Sequence, residues 1–145
     1  MPDNDVQGRT VPIEGADGEV RVYRRHPNGG GLVDVTATVA DGAAVHESAY
    51  VEAGSVLGDG TRVGAGCWIE RDVTIGGDVR IGENVHLGAG SRVGDGARIG
   101  ANARLGAGVI VAAGARVAID ARVADRVVVL GDRRRSSRTD FGTAA

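Results

Sequence analysis

The 145-residue chain contains no lysine; all seventeen of its basic residues are arginine. GC-rich coding favours that choice, and it also suits bidentate contacts to anions. A single cysteine, Cys67, excludes an internal disulfide, and its place among small residues marks it as an inert buried thiol. Aromatics are scarce, with one Phe, one Trp and two Tyr. Nucleic-acid binding calls for basic and aromatic residues alternating on one surface, so the scarcity and the acidic neighbours of the arginines argue against it. The net charge of −2 predicts neither a nucleic-acid nor a membrane partner. No apolar run nears membrane-spanning length, and no basic stretch leads into an apolar one at the N-terminus, which predicts a soluble cytoplasmic protein.

What is abundant is glycine, 25 residues, held at a fixed phase that rules out collagen and disorder. From Val33 to Val123 every sixth residue is Val, Ile or Leu, sixteen in succession without an insertion. A period of six fits neither a helix face nor an alternating hairpin. It fits a solenoid in which each hexapeptide supplies one short strand and one turn. The aliphatic residue and a small residue two positions before it share the inward face, and the residue between them points out. Glycine often follows the aliphatic, as at Gly58, Gly64, Gly76, Gly82, Gly88, Gly94, Gly100 and Gly106, where a corner would penalise a side chain. Residues 1–31 read as an irregular lead-in, with a short hairpin around Ala16-Asp17-Gly18; residues 32–130 are the repeats. The Arg-rich segment 131–145 has too little apolar content for fixed structure.

The run LGDGTR-VGAGCW and IGGDVR-IGENVH-LGAGSR-VGDGAR-IGANAR-LGAGVI resembles the bacterial transferase hexapeptide-repeat family. That resemblance implies an all-β fold, a left-handed parallel β-helix with three hexapeptides per coil and about five coils here. It further implies a homotrimer and a CoA-dependent acyltransferase.

Three repeats per coil place residues eighteen apart above one another at about 4.8 Å. The outward positions then sort into three ladders. The first is Leu32, Tyr50, Trp68, His86, Arg104, Arg122. The second is Thr38, Val56, Thr74, Arg92, Ile110, Val128, and the third Ala44, Arg62, Arg80, Arg98, Arg116. The second ladder would expose apolar surface on a monomer, so the Val56, Thr74, Ile110 and Val128 face is the expected self-association surface. The third reads either as a solvated face paired with Asp41, Asp59, Asp78 and Asp95 or as an anion groove. The first reads either as packing under the hairpin or as a wall beside a catalytic base.

The family resemblance implies a histidine general base, a role that suits a pKa near working pH. Of His26, His46 and His86, the last points outward in mid-ladder and is the candidate catalytic residue, with Arg104 beside it. Arg104, Arg98 and Arg116 are the candidate phosphate contacts for acetyl-CoA or another acyl-CoA as cosubstrate, with no tightly bound cofactor expected. Departures from the family pattern are clear: no loop interrupts the array, the paired-histidine segment of acyl-carrier-dependent members is missing, and AIDARVADRVVV replaces the usual closing segment. Positions matching the γ-class carbonic anhydrase zinc ligands hold Gly82 and Leu87, so no metal site is expected. Two functions stay open: acyl transfer to a hydroxyl or amine of a small acceptor in an intersubunit cleft, and a non-catalytic trimeric scaffold or binding module.

Overall fold

The computed structural model describes residues 10–131; the tail assigned to 131–145 lies, but for its first residue, outside them. Strands β1 (Thr10–Glu14) and β2 (Val20–Arg25) form the hairpin, paired from Thr10↔Arg24 to Glu14↔Val20. Strand β3 (Leu32–Asp34) lies antiparallel to β2 and opens the solenoid. From there each hexapeptide adds a two-residue strand, and every strand pairs in parallel with the one eighteen residues away. Three sheets result, of eight, six and five strands. They carry the first, second and third ladders, in register as the period requires. The hairpin does not cover the first ladder. It extends that sheet by two strands at its N-terminal edge, and its Tyr23 packs on the ladder, edge-on to Tyr50 with ring centroids 5.9 Å apart.

The inward aliphatics Leu57, Ile69, Ile75, Leu87 and Leu105 are fully buried, each contributing on the order of 1.5–3 kcal/mol. Each turn has two backbone demands. The residue after the aliphatic lies hard against the next coil: a Cβ on Gly88 would meet the Gly106 carbonyl carbon at 2.4 Å. Two residues later the backbone is left-handed, and here Asp72, Asp78, Asn84, Asn102 and Asp120 adopt φ between 55 and 65°. Asp and Asn tolerate that conformation better than other non-glycine residues.

Four small polar core residues have a specific task. Thr61 Oγ1 donates to the Gly76 carbonyl (2.6 Å) and accepts the Val79 N–H (3.1 Å). Ser55 does the same for Glu70 O and Val73 N, and Ser91 for Gly106 O and Val109 N. Cys67 Sγ donates to Gly82 O at 2.9 Å. Each lies one coil below a valine, namely Val73, Val79, Val85 or Val109. Where the small position holds alanine, as at Ala97 or Ala103, the turn closes its own N–H onto a carbonyl three residues back. Beneath the valines the side chain of the previous coil supplies the acceptor instead.

Candidate functional site

Tyr50, Trp68, His86 and Arg104 occupy successive rungs of the first sheet. The His86 imidazole lies flat on the Trp68 indole, with centroids 4.5 Å apart and planes within 5°. Its Nε2–H donates to Glu70 Oε2 at 2.5 Å. That contact leaves Nδ1 as the nitrogen with no protein partner among the described residues. Both groups of the pair are about three-quarters buried, with side-chain exposures of 26% and 28%. A carboxylate on one ring nitrogen fixes the ring orientation and favours the tautomer whose other nitrogen can accept a proton. His86 therefore has the form of an oriented base.

Glu52, one coil below Glu70, accepts from Trp68 Nε1 (2.9 Å) and from the Tyr23 hydroxyl (2.5 Å). Burial and the neighbouring Glu52 carboxylate push the Tyr23 phenol above its ordinary range, so it stays a donor. The chain Tyr23–Glu52–Trp68–His86–Glu70 thus links the hairpin to the candidate base. A cavity of about 200 Å³ opens beside Trp68 and Glu70, lined by Arg21, Tyr23, Glu52, Ala53, Trp68, Glu70 and Arg71; His86 stands next to it and does not line it. The hexapeptide period alone does not single out Glu52 and Glu70. They sit at the corner position that is glycine in eight repeats, and two glutamates eighteen residues apart are the signal that could have revealed them.

The other histidines have structural settings. His26 is buried with Nε2 against the Ala43 carbonyl at 2.7 Å. His46 is exposed, with Nδ1 engaged by Ser48 Oγ and the Ser48 N–H. Burial raises the Cys67 thiol above the usual range, which suits an inert side chain. Among the described residues no three His, Cys, Asp or Glu side chains cluster at metal-binding distance.

The four arginines of the third sheet stand in register, Arg62↔Arg80↔Arg98↔Arg116. The expected pairing with Asp41, Asp59, Asp78 and Asp95 does not occur: among the described residues no carboxylate lies within ion-pair distance of any of the four. Asp95 instead accepts the Gly77 N–H at 2.9 Å, because a turn aspartate caps the neighbouring coil more readily than it reaches across a corner. Guanidinium groups one coil apart repel by about 0.9 kcal/mol per pair in water. They line an open groove of about 560 Å³ whose floor is Gly82, Gly100, Ala101 and Ala118. Of the residues assigned to the site, Arg104 lies next to His86 on one sheet. Arg98 and Arg116 lie on another, and a single chain does not bring them to His86. The second sheet exposes Val56 (39%), Ile110 (44%) and Val128 (53%).

Residues 60–95 match the signature described as bacterial transferase hexapeptide (six repeats), and residues 78–113 that described as hexapeptide repeat of succinyl-transferase. A search of curated proteins gave no significant match. A hexapeptide transferase family protein from Anaplasma phagocytophilum shares the fold at TM-score 0.54 and 23% identity, over 68% of this chain and 72% of that one. The acetyltransferase domain of PglB from Neisseria gonorrhoeae is 32% identical, over 70% of this chain and 54% of that one, with TM-score 0.31. A point mutant of GDP-perosamine N-acetyltransferase from Caulobacter crescentus, solved with CoA and GDP-perosamine, is 24% identical over 68% and 52% of the two chains, with TM-score 0.37. The chain spans about half the length of the latter two. Residues 60–113 thus carry the repeat signature of bacterial transferase hexapeptide proteins, and the coil architecture is the fold of a hexapeptide transferase family protein.

Proposed function

We propose that the protein is a trimeric acyltransferase acting in the cytoplasm, which moves an acyl group from acetyl-CoA or another acyl-CoA to a hydroxyl or amine of a small acceptor. The observation that carries this reading is the oriented His86, held at Nε2 by Glu70 and stacked on Trp68. Nδ1 takes the acceptor proton as the acceptor oxygen or nitrogen attacks the thioester carbonyl. The C–S bond breaks, and the imidazolium returns the proton to the leaving thiolate. Glu70 is the positioning residue. The exposed Val56, Thr74, Ile110 and Val128 face supports self-association. In such a trimer Arg98 and Arg116 of a neighbouring copy join Arg104 around His86, and their forked guanidinium groups suit the phosphates of CoA. The solved acetyltransferases with CoA or acetyl-CoA bound are consistent with this cosubstrate.

A scaffold without catalysis is the competing reading, favoured by an array that no inserted loop interrupts. One experiment separates the two. Acetyl-CoA at about a hundredfold over its Kd stabilises a binding protein by about 2.7 kcal/mol, visible as a raised Tm. Thiol release with a panel of hydroxyl and amine acceptors then reports turnover, and His86→Ala should lower it by about 10²–10⁴-fold. An unmoved Tm together with no thiol release leaves the scaffold.

A further inference from the structure

The unneutralised arginine ladder and the two corner glutamates fit each other across two copies of the chain. Glu52 and Arg62 belong to the coil that begins at Tyr50, and Glu70 and Arg80 to the coil above it. His86 and Arg98 share the next coil, and Arg104 and Arg116 the one after. A rotation about an axis parallel to the solenoid leaves every coil at its own height. With the apolar second face turned toward such an axis, a neighbour meets the two corners that border that face. Glu52 and Glu70 lie at one of them, between the first and second sheets. The arginine ladder begins just past the other, between the second and third.

We infer that Arg62 and Arg80 of one copy pair with Glu52 and Glu70 of the next, so that a second copy completes the candidate site. The inference rests on the self-association in the proposed function. Charge sign, coil height and rung spacing agree for both pairs. Glu70 has one carboxylate oxygen, Oε1, without a protein partner among the described residues, while Oε2 holds His86. Of the arginines on the glutamates' own chain that line the same cavity, Arg21 is already engaged by Asp17 and Glu19, and Arg71 flanks the opening. The pairing divides the ladder. Its lower two arginines close the cleft and are neutralised; its upper two, Arg98 and Arg116, remain positive at the levels of His86 and Arg104. The anion seat is thereby confined to the levels of the base, and the carboxylate that orients the base is tied to assembly.

The test measures association of the full-length chain by sedimentation equilibrium and native mass spectrometry, without substrate. Arg62→Glu with Arg80→Glu should weaken the trimer at least about tenfold, with unchanged circular dichroism. Adding Glu52→Arg and Glu70→Arg to that variant should restore assembly. Because those reversals also remove contacts to Trp68 and His86, a second variant is needed: Glu70→Cys with Arg80→Cys should be joined between chains by a short bis-maleimide, which spans a Glu–Arg pair where a direct disulfide does not. An Arg62→Glu, Arg80→Glu chain that associates like the wild type overturns the inference, as does a wild-type chain monomeric at every concentration or a cysteine pair that never cross-links. His86→Ala should assemble normally, so failure of catalysis and failure of this pairing are told apart.

Discussion

Replacing Thr61 with valine tests whether hydrogen bonds between coils, as well as apolar packing, hold the stack together. The two side chains have nearly the same shape, so the change removes a hydroxyl without leaving a cavity. Two partners lose it: the Gly76 carbonyl at 2.6 Å and the Val79 N–H at 3.1 Å. The carbonyl belongs to a half-exposed corner glycine and can turn to water. The N–H belongs to a fully buried residue and has no other acceptor within the coil. Orphaning one buried donor costs about 1–3 kcal/mol. A loss of about 2 kcal/mol corresponds to a fall in Tm of about 4–8 °C for a chain of this size. Differential scanning calorimetry at fixed protein concentration reads it directly. Thr61→Ser is the control: it keeps both hydrogen bonds, loses one methyl and should cost about 1 kcal/mol. If Thr61→Val melts with the wild type, or if the serine variant melts lower than the valine one, the hydroxyl is not what satisfies Val79.

Gly88→Ala places a methyl 2.4 Å from the Gly106 carbonyl carbon, and chemical denaturation should show a loss of about 3 kcal/mol, near the range for overpacking. Asn84→Ala, at φ 58°, should cost about 1–2 kcal/mol of backbone strain, measured by the same titration; an unchanged midpoint would refute it. Glu70→Gln keeps the shape beside His86 but not the charge; kcat should fall with KM little changed and the pH–rate profile should move, whereas a purely structural role would move only Tm. The raised Cys67 thiol stays protonated where an unfolded thiol ionises, so it favours the native state below the ordinary thiol range and that benefit fades as pH rises toward its folded pKa. Iodoacetamide at pH 8 should leave native Cys67 unmodified and alkylate it in denaturant.

The six-residue period was enough to place every ladder residue, because a strand of two residues has no freedom of register once a third of the coil is fixed by the next aliphatic. The pairings Trp68↔His86 and Arg98↔Arg116 were therefore legible. The local contacts were not. The period shows His86 as outward-pointing, but its orientation is set by Glu70, two residues after Trp68, and that glutamate stands at a corner whose usual occupant is glycine. Charge and nearness in sequence make Asp95 an expected partner for arginine. A backbone N–H one coil away is closer and already aligned. The six-residue frame shows Ser55, Thr61, Cys67 and Ser91 only as small, although the valine eighteen residues on in each case marks where a side-chain acceptor is needed.

At one end of the stack the hairpin extends the first sheet and Asn28 and Gly31 pair with Val45 of the third, which leaves the molecule with a direction. At the other end of the described chain, Ile119 (66% exposed) and Leu130 (76% exposed) face solvent, and Val123 and Val129 are only partly covered. Since each coil touches only the coils beside it, opening spreads like a zipper from whichever end is least protected. Amide exchange should then quicken steadily from the middle coils toward Val129 and slow toward Val33. His86 sits in the protected interior of that gradient. The coil bearing Arg116 lies nearer its loose end, so Arg116 should open more often than the coil that His86 shares with Arg98.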